Sequence, residues 1–176
     1  GIGQGFIQTT PIQLCLMTAQ IANGGYKIYP KIVANDDNQY ADKFTPLYKK
    51  SRNIKIVQDA MFSSTNEVRG TSYRSRLDDP KYRFAGKTGT SQVKKITELD
   101  RELDLKTFQI PYEERDHALY VAFGPYKSPR YALSIIIEHG GSGGTVAAPL
   151  AKELFKMIVD RHEIRKNYDN KKYLDI

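Results

Sequence analysis

Lys87, Thr88 and Thr90 place an ammonium group and two hydroxyls within four consecutive residues, with Gly86 just before them and Gly89 between them. All three side chains donate hydrogen bonds, and donors gathered in one place hold an anion such as a carboxylate. Two glycines in a strand let another backbone come close, because no Cβ stands in the way. Main-chain amides along such an edge pair with an extended peptide, and one amide can also serve an oxyanion. Phe84 to Val93 therefore reads as one wall of a site for an extended, anionic peptide, a wall whose nucleophile is missing.

Two other stretches carry chemical patterns. Gly140-Gly141-Ser142-Gly143-Gly144 fits the Gly-x-Ser-x-Gly turn of a serine hydrolase, with Asp160 and His162 as acid and base. That turn needs a mostly parallel sheet. The strands around it read as an antiparallel hairpin, and Asp160 and His162 share one helix leading away from Ser142, so a flexible glycine linker is the better reading. Gly86-Lys87-Thr88 imitates the end of a phosphate-binding loop, which requires glycine at position 81 and a helix directly afterwards. Position 81 is Lys81 and the residues after Thr90 are extended in pattern, which argues against nucleotide binding.

The elements that must position the motif follow from periodicity and punctuation. Tyr82 to Val93 is rich in Tyr, Phe, Val and Thr and reads as a strand, entered by the turn Asp78-Asp79-Pro80. Residues 11 to 22 form a helix with Thr10 as cap, Pro11 at its first position and Gln13 completing a capping box, and Asn23-Gly24-Gly25 stops it. Tyr26 to Val33 is short and β-leaning, and a second helix runs from about Asn53 to Phe62, followed by a loop to Leu77. Residues 95–116 are a charged, exposed insertion, with a lid or partner surface as the alternative, and one or two helical turns are expected around Leu99 to Leu105. His117 to Tyr126 and Arg130 to His139 are strands joined too tightly to be anything but antiparallel. The run Leu133 to Ile137 suggests cover on both faces. A last helix from Thr145 aligns Val146, Leu150, Leu154, Met157 and Ile158, and the polar tail 167–176 is expected to fray. The fold class is α+β: a three-stranded antiparallel sheet with the last helix on one face and the first on the other.

At 176 residues the chain is one domain. Its net charge of +7 and pI near 9.3 come from scattered basic residues interleaved with acidic ones, which favours a solvated surface over a nucleic-acid partner. Cys15 is the single cysteine, so no internal disulfide forms, and a buried, apolar role suits its neighbours Leu14 and Leu16. The three histidines have no metal spacing, and neither metal nor cofactor is expected. No run approaches the roughly 18 apolar residues of a membrane span.

Lys87-Thr88-Gly89-Thr90 resembles the Lys-Thr-Gly element of penicillin-binding proteins and serine β-lactamases. Gly3-Gln4-Gly5, Thr10-Pro11-Ile12-Gln13-Leu14 and Ala22-Asn23-Gly24-Gly25 resemble the segment preceding that element in class B transpeptidases. His117 to Pro125, Arg130 to Leu133, Glu138 to Gly141 and Ala147-Ala148-Pro149 are similar to the elongation-type members, the penicillin-binding protein 2 group, so that the likeness covers roughly residues 1 to 160.

The resemblance implies the C-terminal part of a peptidoglycan D,D-transpeptidase domain with a partial β-lactamase/transpeptidase-like fold. In that family an activated serine attacks the penultimate D-Ala carbonyl of a stem peptide, expels the terminal D-Ala and passes the acyl group to an amine, and β-lactams acylate the same serine. By the same resemblance Lys87 tunes the site's electrostatics, Thr88 and Thr90 bind the terminal carboxylate, the Thr90 amide forms half of the oxyanion hole, and Gly89 leaves room for the ligand. It further implies a stem-peptide substrate, β-lactam ligands, a membrane glycan polymerase as partner, and the periplasmic face of a bacterial inner membrane, with an anchor outside this truncated chain.

Ser91-Gln92-Val93-Lys94 matches the family's Ser-x-x-Lys nucleophile in letters, but a strand points positions i and i+3 to opposite faces, and the family serine precedes Lys-Thr-Gly. Ser64-Thr65-Asn66 imitates the family's Ser-x-Asn, which lies upstream of the Gly-Gln-Gly segment. The nucleophilic serine is thus expected outside these residues, and the piece alone is expected to be inactive. A penicillin-sensor or pseudoenzyme binding domain is the non-enzymatic alternative, and a Ser142 hydrolase the remaining one.

Overall fold

The computed structural model describes residues 7–32, 45–94, 102 and 105–172. Helix α1, Pro11–Ala22, has the expected capping box: the Thr10 hydroxyl accepts from the Gln13 amide at 3.4 Å and the Gln13 side chain accepts from the Thr10 amide at 2.8 Å. The stop is equally local. Asn23 accepts from the Gly25 and Tyr26 amides, while Gly24 and Gly25 turn the chain at φ values of 92° and 90° that side chains rarely adopt.

Helix α2, Ser51–Asn66, runs a turn further than its apolar spacing suggests. Tertiary bonds extend it: the Asn66 amide donates to Phe84 O at 2.9 Å, and Thr65 donates to Gly86 O at 3.5 Å. Gln58 ties α2 to the end of α1 through Ile21 O at 2.7 Å.

Strands β1, Ala85–Ser91, β2, His117–Gly124, and β3, Tyr131–Ile137, form one antiparallel sheet in the order β1-β2-β3. Strand β1 is shorter than the Tyr82 to Val93 run, because the amides of Tyr82 and Arg83 close a turn onto Asp79 O. Strand β2 also ends early. Tyr126 leaves the sheet to pack its ring 4.4 Å from that of Phe62 and to bond Lys55 and Asp59, so the hairpin connection spans residues 125–130. Of the β-leaning stretch Tyr26 to Val33, the described residues show one bridge, from Tyr26 to Pro46, and Val33 lies outside them.

Helix α3, Ala148–Lys172, is entered through a wide turn, Gly143–Ala147, and its backbone is helical as far as Lys172, while the last four residues of the tail 167–176 lie outside the described residues. The stripe expected to cover the sheet needs correction. Ala147, Ala148, Ala151, Phe155 and Val159 are buried, whereas Leu150, Leu154 and Met157 are exposed. The alanines bring the helix axis close to the sheet, and Phe155 fills the space that remains by stacking 4.9 Å from Phe84. Burying one such ring is worth about 1.5–3 kcal/mol.

The other face packs Met61, Ala85 and Phe123 against Ile21, Ala22 and Ala132, so β3 is flanked on both sides as its apolar run implied. Cys15 donates to Ala132 O at 3.5 Å, and burial pushes its thiol up. Most of the expected helical stretch from Leu99 to Leu105 lies outside the described residues. Its return is pinned: Thr107–Gln109 and Tyr112–Glu114 are short 3-10 turns, and Asp116 accepts from Val93 N at 3.3 Å.

Candidate active site

β1 is an edge strand, and the direction of its carbonyls fixes what it offers. Phe84 and Gly86 aim their carbonyls at α2, away from β2. In an antiparallel strand the N–H and C=O of one residue share a side and alternate residues share it. Thr88 and Thr90 therefore direct their main-chain groups off the same outer edge as Gly86. Lys87 and Gly89, opposite Val121 and Leu119, turn theirs toward β2.

The side chains of Thr88 and Thr90 share one face of the strand, and Lys87 projects from the other. The flexible lysine nevertheless bends round the edge: its Nζ donates to Thr88 O at 2.9 Å and to Thr88 Oγ1 at 3.3 Å. The ammonium and the Thr88 hydroxyl thus meet at one place. Lys87 and Thr90 are exposed and Thr88 and Gly89 half-buried.

Behind this edge lies a set of hydroxyls that motif reading missed. Thr71 Oγ1 sits 3.2 Å from Thr88 Oγ1 and 3.2 Å from Ser64 Oγ. One residue further in, Thr65 and Ser72 hydrogen-bond the buried Tyr120 hydroxyl at 2.9 and 3.0 Å. Burial pushes the Tyr120 phenol up, which keeps it neutral and able to share these protons. Gly86 makes the arrangement possible, since a Cβ there would stand 2.3 Å from the Tyr120 oxygen. Ser64-Thr65-Asn66, which imitates a family element in letters, is in this way the clamp between α2 and β1. Its sequence signal is a run of three hydroxyl residues, 63 to 65, echoed by the pair at 71 and 72.

The glycine stretch around Ser142 also lies here, and it is not a flexible linker. A Cβ on Gly143 would meet Leu119 O at 2.2 Å and Gly89 O at 2.6 Å, and one on Gly144 would meet Thr71 O at 2.7 Å. These glycines let the turn press onto the β1–β2 backbone. The supposed partners of Ser142 are engaged elsewhere: Asp160 accepts from the Tyr82 hydroxyl at 2.5 Å and from Lys81 at 3.4 Å, and the His162 ring stands edge-on to Tyr131. The hydrogen bond from Tyr82, and then that from Lys81, holds the Asp160 carboxyl below its usual range. Ser91 ends β1, so Ser91 and Lys94 never share a helical face. Among the described residues no group of His, Cys, Asp and Glu side chains could hold a metal, and no helix is long and apolar enough to cross a membrane.

A family model described as the penicillin binding protein transpeptidase domain matches residues 1–156, a span that includes both strand edges and the Gly143 turn. The chain belongs to that family. Among curated relatives it is 34% identical over 174 residues to the peptidoglycan D,D-transpeptidase MrdA of Salmonella typhimurium, covering 91% of this chain and 26% of the relative. It is 32% identical over 164 residues to MrdA of Haemophilus influenzae, covering 88% and 24%. The transpeptidase-family chain therefore spans about a quarter of the length of these relatives. Its fold superposes on Pseudomonas aeruginosa PBP2 in complex with WCK 5153 with a TM-score of 0.65 and 35% identity, covering 86% of this chain and 30% of that one. It also superposes on PBP2 of a PBP2–MreC complex from Helicobacter pylori with a TM-score of 0.66 and 29% identity, covering 93% and 26%.

Proposed function

We propose that this chain supplies the acyl-donor-binding wall of a penicillin-binding protein 2-type peptidoglycan D,D-transpeptidase. The observation that carries the reading is the outer edge of β1, where the main chain of Thr88 and Thr90, the Thr88 hydroxyl and the Lys87 ammonium converge. An extended stem peptide pairs with that edge as an added strand. Thr88 and Thr90 take its terminal carboxylate, Lys87 supplies positive charge beside it, and the Thr90 amide donates one hydrogen bond to the oxyanion. Gly89 keeps the strand free of a side chain where the ligand backbone passes. β-Lactams, as carboxylate-bearing mimics, occupy the same edge.

The serine that attacks is not among the described elements: the sequence's single Ser-x-x-Lys, Ser91 to Lys94, begins at a strand end. The reaction thus belongs to a longer protein, set at the periplasmic face of the inner membrane and working with a membrane glycan polymerase. The H. pylori PBP2–MreC complex supports a parent that works in contact with other proteins. Incubating the isolated 20.0 kDa segment with a fluorescent penicillin, followed by denaturing electrophoresis, tests the division of labour. No labelled band is expected from the segment, while the longer protein becomes labelled. A labelled segment contradicts the proposal.

A further inference from the structure

Thr71 is an exposed residue with unusual constraints around it. Its hydroxyl lies 3.2 Å from both Thr88 Oγ1 and Ser64 Oγ, and its carbonyl lies where a Cβ on Gly144 would stand 2.7 Å away. The turn that presents it is fixed independently. Gly70 crosses the end of α2 where a Cβ would stand 2.2 Å from Ser64 O, and Ser72 returns to Ser64 O through its amide and its hydroxyl, each at 3.1 Å. Ser72 and Thr65 are then anchored on Tyr120 beneath Gly86. Two rows result: a buried one, Thr65–Ser72–Tyr120, that carries no exposed chemistry, and an outer one, Ser64–Thr71–Thr88, that runs to the ammonium of Lys87.

A threonine hydroxyl has one proton and two acceptor sites, and it rotates to suit its neighbours. Thr88 must donate to a carboxylate while Lys87 donates to Thr88. If Thr71 donates to Thr88 as well, both acceptor sites of Thr88 Oγ1 are filled and its single proton is left to point outward. We propose that Thr71 is a positioning residue which, backed by Ser64, orients the Thr88 hydroxyl as a donor to the carboxylate of the acyl donor. This rests on the reading of β1 as the donor-binding edge.

The test uses the full-length protein, with the second-order rate of acylation by a fluorescent penicillin and the thermal midpoint measured for Thr71→Val, Thr71→Ser, Ser64→Ala, Thr88→Val and the Thr71→Val/Thr88→Val double variant. Thr71→Val is expected to lower the rate about three- to tenfold, the range of one hydrogen bond, with an unchanged midpoint. Thr71→Ser restores the rate, Ser64→Ala gives a smaller loss, and Thr71→Val adds nothing in the Thr88→Val background. A wild-type rate for Thr71→Val, or a loss that adds fully to that of Thr88→Val, overturns the proposal. Should Thr71→Val fail to fold, Ser64→Ala decides alone, a wild-type rate counting against. An unlabelled wild type, or a Thr88→Val variant that acylates normally, instead refutes the underlying reading of the edge.

Discussion

Lys87 to Thr90 and Gly140 to Gly144 look equally chemical as letters, and the fold treats them in opposite ways. The first is an edge strand with its alternate main-chain groups turned outward and an ammonium folded over a hydroxyl. The second is a turn whose glycines are spent on close packing against the first. A nucleophile needs a base within reach, and Ser142 has neither Asp160 nor His162 beside it. Glycine beside a polar residue thus marks either ligand space or backbone contact, and only the neighbours decide which.

Substitutions separate the two roles most sharply at Gly143. Gly143→Ala drives a Cβ into two carbonyls, and because both belong to paired strand backbone it is expected to unfold the domain or cost about 3 kcal/mol or more, read by urea denaturation. Tyr120→Phe strips the shared partner from Thr65 and Ser72, costing about 1–2 kcal/mol in the same measurement. If that variant is as stable as wild type, the buried row is not what holds α2 to β1.

The remaining substitution probes the lookalike. Asp160→Asn in the full-length protein is expected to leave penicillin labelling intact, since Asp160 serves Tyr82 and Lys81. Its effect is on pH dependence. A carboxyl held below its usual range stabilises the fold above the unfolded value of about 3.9, and that contribution is lost as pH falls through the folded value. The unfolding free energy, read by urea denaturation at successive pH values, should accordingly fall slightly less on acidification in Asp160→Asn. The group is exposed, so the change is small.

Much of this was legible in the sequence because the signals were local. The Thr10 to Gln13 capping box and the Asn23-Gly24-Gly25 stop bound α1 without help from the rest of the chain, and a short connection suffices to make β2 and β3 antiparallel. What stayed hidden depended on contacts between distant residues. α3 has two apolar faces, and periodicity cannot tell that alanines and Phe155 face the sheet while Leu150, Leu154 and Met157 do not. The last turn of α2 is held by carbonyls at the start of β1 and just before it, some 20 residues away in sequence, as the pairing of Asn66 with Phe84 illustrates. Ser64 and Thr71 join the site only because Gly70 folds the chain back over the helix end.

The β1 edge is where the acyl donor would bind, so the decisive measurement is made there. The full-length protein and its Lys87→Ala and Ser142→Ala variants are incubated with a fluorescent penicillin, the initial labelling rates compared, and the labelled peptide mapped by mass spectrometry. Lys87→Ala is expected to lower the rate by at least about a hundredfold, the scale on which removing one preorganised charge-stabilising donor acts. Ser142→Ala is expected to label like wild type, with the adduct mapping outside these 176 residues. Undiminished labelling of Lys87→Ala, or an adduct on Ser142, would contradict the assignment of the β1 edge.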